Sequence, residues 1–249
     1  MTNLVTRLSA LLLLPLIAHA QERNGNLEIE AGIVSTQNME IRGFSQGNAT
    51  QDWSASAPTV RVEYWTEKEN EWKYGLILQP LSIKYKDVLK NDLNTKGRVY
   101  KSGDSATLNY QFPTLRLSAN KPVIKAEDGG YIRVGGTALV RYAKVELEGS
   151  GQSLIDTNLI VFPTFNIEAS KPLGKSYSFF TRSDFLPGID GNVFLDGLYD
   201  VYFGIRKKTA DHNDVDVGIR LFFGGYDPKK VDEYANKIFF NSLVVRYSF

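Results

Sequence analysis

Leu243-Val244-Val245-Arg246-Tyr247-Ser248-Phe249 is the stretch around which the rest of the chain can be ordered. Leu243, Val245, Tyr247 and Phe249 are all apolar, while Ser242, Arg246 and Ser248 between them are mostly polar. Successive side chains of a strand point to opposite faces, so this reads as a strand with one greasy face that ends in two aromatics. Chain ends fray unless tied down, so such a strand implies neighbours that hold it.

The other end carries the complementary signal. Arg7 precedes an apolar run from Leu8 to Ala18, and the segment closes on Ala18-His19-Ala20. One basic residue, a short apolar core and small residues around a cut site describe a secretory signal peptide over residues 1–20. The run is too short to span a bilayer as a helix. With no cysteine in the chain, neither a lipoprotein anchor nor a disulfide scaffold is available. The remaining 229 residues hold 28 basic and 28 acidic side chains. That balance argues against a nucleic-acid partner bound through bulk charge.

From Gln21 onward the apolar pattern has period two, with turn-forming clusters between segments, so residues 21–249 read as a single all-β domain. About ten strands are expected, near 27–35, 58–66, 72–84, 107–121, 131–145, 154–170, 177–186, 198–207, 214–224 and 238–249, with eight or twelve also compatible. If the first strand climbs, the connections 36–57, 85–106, 146–153, 187–197 and 225–237 all lie at one end, and the shorter ones lie at the other. Phe112-Pro113-Thr114 with Lys121-Pro122 recurs as Phe162-Pro163-Thr164 with Lys171-Pro172. Proline inside a strand implies a bulge or break in each copy.

One face of these strands is apolar. Tyr64, Trp65, Trp72, Tyr74, Tyr131, Tyr177, Tyr247 and Phe249 all fall near the ends with the short turns. Amphipathic rings at one level are expected at a lipid headgroup boundary. The opposite face carries Glu28, Glu30, Arg61, Glu63, Arg116, Arg133, Glu168, Arg182, Asp184, Asp214, Asp216, Arg220 and Arg246. In a membrane barrel these must point inward and pair, and closure would bring Arg246 near Glu28 or Glu30. About ten strands enclose little free space, so a plugged or narrow lumen is expected.

The final strand resembles the C-terminal signal of Gram-negative outer-membrane β-barrels, with Leu243, Val245, Tyr247 and Phe249 as the insertion strand. The whole mature chain resembles a small barrel of that class, omptin-like or of the OmpA and OmpX size. The resemblance implies a closed antiparallel transmembrane barrel with short periplasmic turns and longer extracellular loops. It also implies an outer-membrane address and, as partners, outer-membrane lipid, lipopolysaccharide, the barrel assembly machinery and periplasmic chaperones. The family includes the omptin proteases, whose acidic and histidine residues act at the extracellular rim.

Chemistry is sparse. His212 is the one histidine after residue 20, in Asp211-His212-Asn213-Asp214, and it falls in an expected periplasmic turn. That position argues against an omptin-type protease or a lipid-modifying hydrolase, and no metal or cofactor set is legible. A basic stretch stands out: Lys84, Lys86, Lys90, Lys96, Arg98 and Lys101 outnumber Asp87 and Asp92. As an external loop it would lie against phosphorylated lipopolysaccharide sugars, or be a solvated loop with no partner. Three functions follow: a non-enzymatic structural, envelope or surface-interaction barrel; a narrow channel for small solutes; and an outer-membrane hydrolase. Oligomeric state is open.

Overall fold

The computed structural model describes residues 25–42, 50–67, 71–95, 97–188, 197–209, 213–226 and 236–249. The signal-peptide segment 1–20, Lys96 and His212 lie outside the described residues. No described helix is long and apolar enough to cross a membrane; the described residues are built from strands. These are β1 (Gly25–Arg42), β2 (Thr50–Glu67), β3 (Lys73–Gln79), β4 (Ser82–Val88), β5 (Leu93–Thr95), β6 (Arg98–Tyr100) and β7 (Ser105–Gln111). They continue as β8 (Thr114–Lys125), β9 (Tyr131–Gly149), β10 (Gln152–Pro172), β11 (Tyr177–Leu186), β12 (Leu198–Lys207), β13 (Val215–Tyr226) and β14 (Asn236–Ser248).

Ten strands close the barrel in the order β1-β2-β3-β8-β9-β10-β11-β12-β13-β14, with β14 antiparallel to β1. Closure pairs Glu30 with Arg246 and Ile33 with Leu243, so the terminal strand is tied on both edges. The path of register partners from Ala55 runs through Thr36, Phe240, Phe222, Asp200, Asp184, Asn166, Gly135, Asn120 and Lys73. It returns to β2 at Glu67, twelve residues further along the strand. For ten strands with that stagger, a rise of about 3.3 Å and a spacing of about 4.8 Å give a tilt of about 40°.

β4 and β7 extend β3 and β8 beyond interruptions at Pro80-Leu81 and Phe112-Pro113. They pair with each other, and β7 pairs with the upper part of β9. The repeat therefore behaves unequally: the chain leaves the ladder at Phe112-Pro113, while Pro163 stays inside β10, opposite Ala138. At the far end β9 turns into β10 through Ser150 and Gly151, both at positive φ (51° and 68°). Two positive-φ residues suit the right-handed twist of a two-residue hairpin.

Of the connections expected as long external loops, the described parts of 36–57, 85–106 and 146–153 are largely strand, and most of 187–197 and 225–237 lies outside the described residues. β1 and β2 run to Arg42 and from Thr50, and 85–106 holds most of β4, the β5–β6 hairpin and the start of β7. The wall stands well above the level at which the lipid-facing pattern ends. On β9 the outward residues Ile132, Val134, Ala138, Val140 and Tyr142 give way to Lys144, Glu146 and Glu148. The span from Ile132 to Tyr142 at that tilt is about 25 Å, the height of the apolar band of outer-membrane barrels.

Within that belt the molecule is inside out relative to a soluble protein. Ile33 (64%), Leu117 (56%), Phe165 (59%) and Leu243 (65%) are exposed outward, while Arg61, Glu63, Glu168 and Arg246 are at most 1% exposed. A soluble ligand-binding barrel has the opposite polarity.

Candidate functional site: the filled lumen

Alternation places Glu28, Glu30, Arg61, Glu63, Arg116, Arg133, Glu168, Arg182, Asp184, Asp216, Arg220 and Arg246 on the inner face, buried. Asp214 sits at the periplasmic mouth, where its carboxylate is 3.8 Å from Arg206. Arg182 is a hub: it donates to Glu168 at 2.8 Å and Glu28 at 3.1 Å, and also reaches Glu63. Arg246 bridges Glu30 at 2.8 Å and Glu28 at 3.2 Å. Arg220 holds Glu30 with two parallel bonds of 2.7 and 2.6 Å and reaches Asp200 at 2.7 Å. Arg61 joins Glu63 (2.6 Å) to Asp200 (2.9 Å). Arg116 donates to Asp184 at 2.7 Å, whose other oxygen accepts from Thr137 and Asn166, each at 2.8 Å.

Three members were not among the residues singled out from the sequence. Asp200 ties Arg61, Arg116 and Arg220 together. Lys73 donates to Glu168 at 2.8 Å, and Arg206 holds Asp216 with bonds of 2.7 and 2.9 Å. Their signal was phase: Asp200 and Arg206 share a face with Leu198 and Tyr202 on β12, and Lys73 shares one with Gly75 and Ile77 on β3. The described buried network then has seven carboxylates (Glu28, Glu30, Glu63, Glu168, Asp184, Asp200, Asp216) and seven cations (Lys73, Arg61, Arg116, Arg182, Arg206, Arg220, Arg246). Desolvating a charge costs several kcal/mol, so such a cluster is tolerable only when its charges balance and pair. Arg133 stands apart at the rim, 2.6 Å from Glu67.

Aromatic rings pack among these charges, and two of them correct the expected girdle. Trp65 and Tyr131 point inward: Trp65 is 1% exposed, donates to Glu63 at 2.8 Å and lies under Arg182 at 4.3 Å, and Tyr131 donates to Glu168 at 3.1 Å. Tyr64 and Trp65 are adjacent on β2, so alternation forbids both from facing lipid. Tyr74, Tyr177, Tyr247 and Phe249 are exposed at that level. Trp65 fits because its inward neighbour is Gly75, where a Cβ would lie 2.4 Å from the indole.

Above the belt the lumen changes character. Val34, Trp53, Leu81, Ile83, Tyr85, Leu108, Tyr110, Phe112, Leu139, Val145, Leu147, Phe222 and Phe240 form one buried apolar cluster. Phe112, just before the broken ladder, is at its centre, 5.3 Å from Phe222 and 6.3 Å from Phe240 between ring centres. Leu89, Leu93 and Tyr100, from the segment containing the β5–β6 hairpin, cap it, and the Tyr100 hydroxyl donates to Leu147 O at 3.3 Å. Burial pushes the Tyr85 phenol up to about 12. Where the two layers meet, a cavity of about 10 Å³ is bounded by Gln79, Asp200, Arg220 and Ser242 on one side and Phe112, Phe222 and Phe240 on the other. That is room for about one water molecule.

The basic stretch is divided. Lys84 and Lys86 project outward from β4, above the belt. Lys90, Arg98 and Lys101 are exposed around the β5–β6 hairpin, and Lys101 pairs with Asp92 at 3.0 Å. Among the described residues no cluster of His, Asp and Glu is arranged to hold a metal ion. The strand ends that flank His212, Lys207 and Val215, are in register with Tyr247 at the edge where β14 ends.

No known protein-family model matches the chain, and neither does any curated protein. Among solved structures it is similar to the outer membrane protease OmpT from Escherichia coli, at 12% identity and a TM-score of 0.59, covering 91% of this chain and 97% of that one. It is also similar to the translocator domain of the autotransporter NalP from Neisseria meningitidis, at 11% identity and a TM-score of 0.44, covering 98% of each chain. The outer membrane protein OprG from Pseudomonas aeruginosa matches at 12% identity and a TM-score of 0.40, covering 91% of this chain and 97% of that one. The likeness to OmpT, together with the apolar outer belt, shows the fold: the chain is a closed ten-stranded β-barrel of the outer-membrane kind.

Proposed function

We propose that this chain is a non-conducting outer-membrane barrel whose role is structural or in surface interaction, without enzymatic chemistry. The observation that supports it is the double filling of the lumen, a neutral charged layer below and an aromatic layer above, with about 10 Å³ between them. Water-filled pores need roughly sixteen strands, and ten leave side chains in contact across the lumen. The test is planar-bilayer recording of the folded chain: a flat baseline at either polarity is expected, and reproducible unitary steps would overturn the reading in favour of a narrow solute channel.

Two partner readings belong with this one. Lys84 and Lys86 project outward above the apolar belt, and with Lys90, Arg98 and Lys101 they are proposed to contact the phosphorylated sugars of lipopolysaccharide. Replacing Lys84 and Lys86 by Gln is expected to weaken co-purification of lipopolysaccharide; unchanged recovery would sink that contact. Leu243, Val245, Tyr247 and Phe249 are proposed as the strand read by the assembly machinery, because all four face outward on the closing strand.

A further inference from the structure

Below the lipid belt, one half of the outer wall is basic. Outward residues on β8 run Leu115, Leu117, Ala119 and then Lys121; on β10 they run Phe165, Ile167, Ala169 and then Lys171. On β12 they run Tyr199, Val201, Phe203, Ile205 and then Lys207. Each lysine is the first polar outward residue after an apolar run, and each is exposed. The three strands alternate with β9 and β11, and the register offsets Lys171 by four residues from the row of Lys121 and Lys207 by two from the row of Lys171, which sets successive lysines about 16 Å and about 12 Å apart around the wall.

The register fixes their level. Lys207 pairs with Tyr177 on one side and with Val215 on the other, and Val215 pairs with Tyr247. The lysine thus shares a row with two exposed aromatics. Lys171 lies opposite Phe179, and the Lys121 ammonium is 5.8 Å from the centre of the Trp72 ring. Among the described acids at this end, Glu71 is held by Lys125, Asp214 lies by Arg206 and Asp128 accepts from the Gly130 amide, while Glu127 is exposed in the same turn. On the opposite half, β14, β2 and β3 hold the same zone with Tyr247, Phe249, Tyr64 and Tyr74 and no outward lysine among the described residues.

We propose that Lys121, Lys171 and Lys207 form an arc that recruits anionic phospholipids of the periplasmic leaflet. Each ammonium reaches along its flexible stem to the phosphate diester of a lipid headgroup. A headgroup with net negative charge complements three cations that have no acid partner among the described residues, whereas a zwitterionic headgroup brings its own ammonium and competes less well. The lipid annulus is therefore acidic on the β8–β12 side and unselective on the aromatic side. This depends on the level of the belt, not on whether the lumen conducts.

Tryptophan placement supplies the reporter. Trp53 and Trp65 are 0% and 1% exposed in the lumen, so quenchers attached to lipid chains sense Trp72, beside Lys121. The full chain is refolded into phosphatidylcholine bilayers containing a fixed fraction of phosphatidylglycerol, with bromine on either the one lipid or the other. Brominated phosphatidylglycerol is expected to quench more than its bulk fraction predicts. A basic residue at a charged surface changes local anion occupancy by roughly fivefold. Equal quenching by the two lipids at equal fraction overturns the proposal. In K121Q/K171Q/K207Q the excess is expected to vanish, and an excess that persists also overturns it. Should that variant fail to fold, 1 M salt on the native chain makes the same discrimination, because it screens exposed charge to about 3 Å. K84Q/K86Q is expected to leave the excess intact, and its loss there would place the anionic site at the other leaflet.

Discussion

The two halves of the lumen are made by the same strands and filled by opposite chemistry. Where the outside meets lipid, the inside is polar or charged: on β9, Arg133 and Thr137 alternate with Ile132, Val134 and Ala138. Where the outside meets water, the inside is apolar: Ala143, Val145 and Leu147 alternate with Lys144, Glu146 and Glu148. Period two persists along the whole strand while its sense reverses near Tyr142. The lower half is a membrane protein and the upper half packs like a soluble barrel; the change of solvent along one strand accounts for both.

The sharpest way to break the comparison is to remove the hub of the charged half. Arg182→Ala strips a cation from Glu28, Glu63 and Glu168 together. Breaking a buried pair by removing one partner costs about 3–5 kcal/mol, so the urea midpoint in detergent should fall steeply and heat-modifiable migration be lost at lower temperature. An unchanged midpoint would mean that the network is not what stabilises the lower half. Phe112→Ala attacks the other half. It empties the centre of the aromatic cluster, for which about 3 kcal/mol is expected, while lipid partitioning and closure of the lower barrel persist. Equal collapse of both halves, seen by hydrogen exchange on β11 and β9, would show one cooperative unit where the packing implies two.

The smallest effect concerns the cap. Asp92 accepts from the Ser102 amide at 2.8 Å and from the Lys101 ammonium at 3.0 Å, which holds its carboxyl below the usual carboxylate range. A lowered carboxylate lends its tie in full above its ordinary value, about 3.9, and loses it as pH falls through the depressed value. Exchange protection of Asn94 and Val99 in the β5–β6 hairpin should hold at neutral pH and decline below about pH 4, and Asp92→Asn should flatten that dependence. A profile unchanged by the substitution would remove Asp92 from the account.

Much of this was legible because alternation is local. The outward run of Leu243, Val245, Tyr247 and Phe249 and the inward Arg246 follow from seven residues, and the ion pairs of Arg246 with Glu28 and Glu30 follow once closure is assumed. What escaped had a physical reason in each case. Ile83 and Tyr85 alternate with Lys84 and Lys86 as cleanly as any lipid-facing strand, but with reversed sense, so the segment reads as a basic loop when the bilayer is taken to extend along the entire strand. Trp65 and Tyr131 are girdle-like in kind and sit near the right level; only their phase relative to Glu63 and Arg133 sends them inward. Asp200 is a single acid in a strand of aromatics, and its weight comes from arginines on β2, β8 and β13, which local pattern cannot register.

The partners of Glu28 and Glu30 lie on β11, β13 and β14, at the opposite end of the chain. The first hairpin sets Arg61 opposite Glu30 but Glu63 opposite Glu28, one arginine for three carboxylates, so an unfinished sheet would carry the excess acids toward hydrocarbon unpaired. Completion of the wall is thus self-proofread: until β14 docks against β1, the interior declares itself incomplete in the one way a bilayer penalises most.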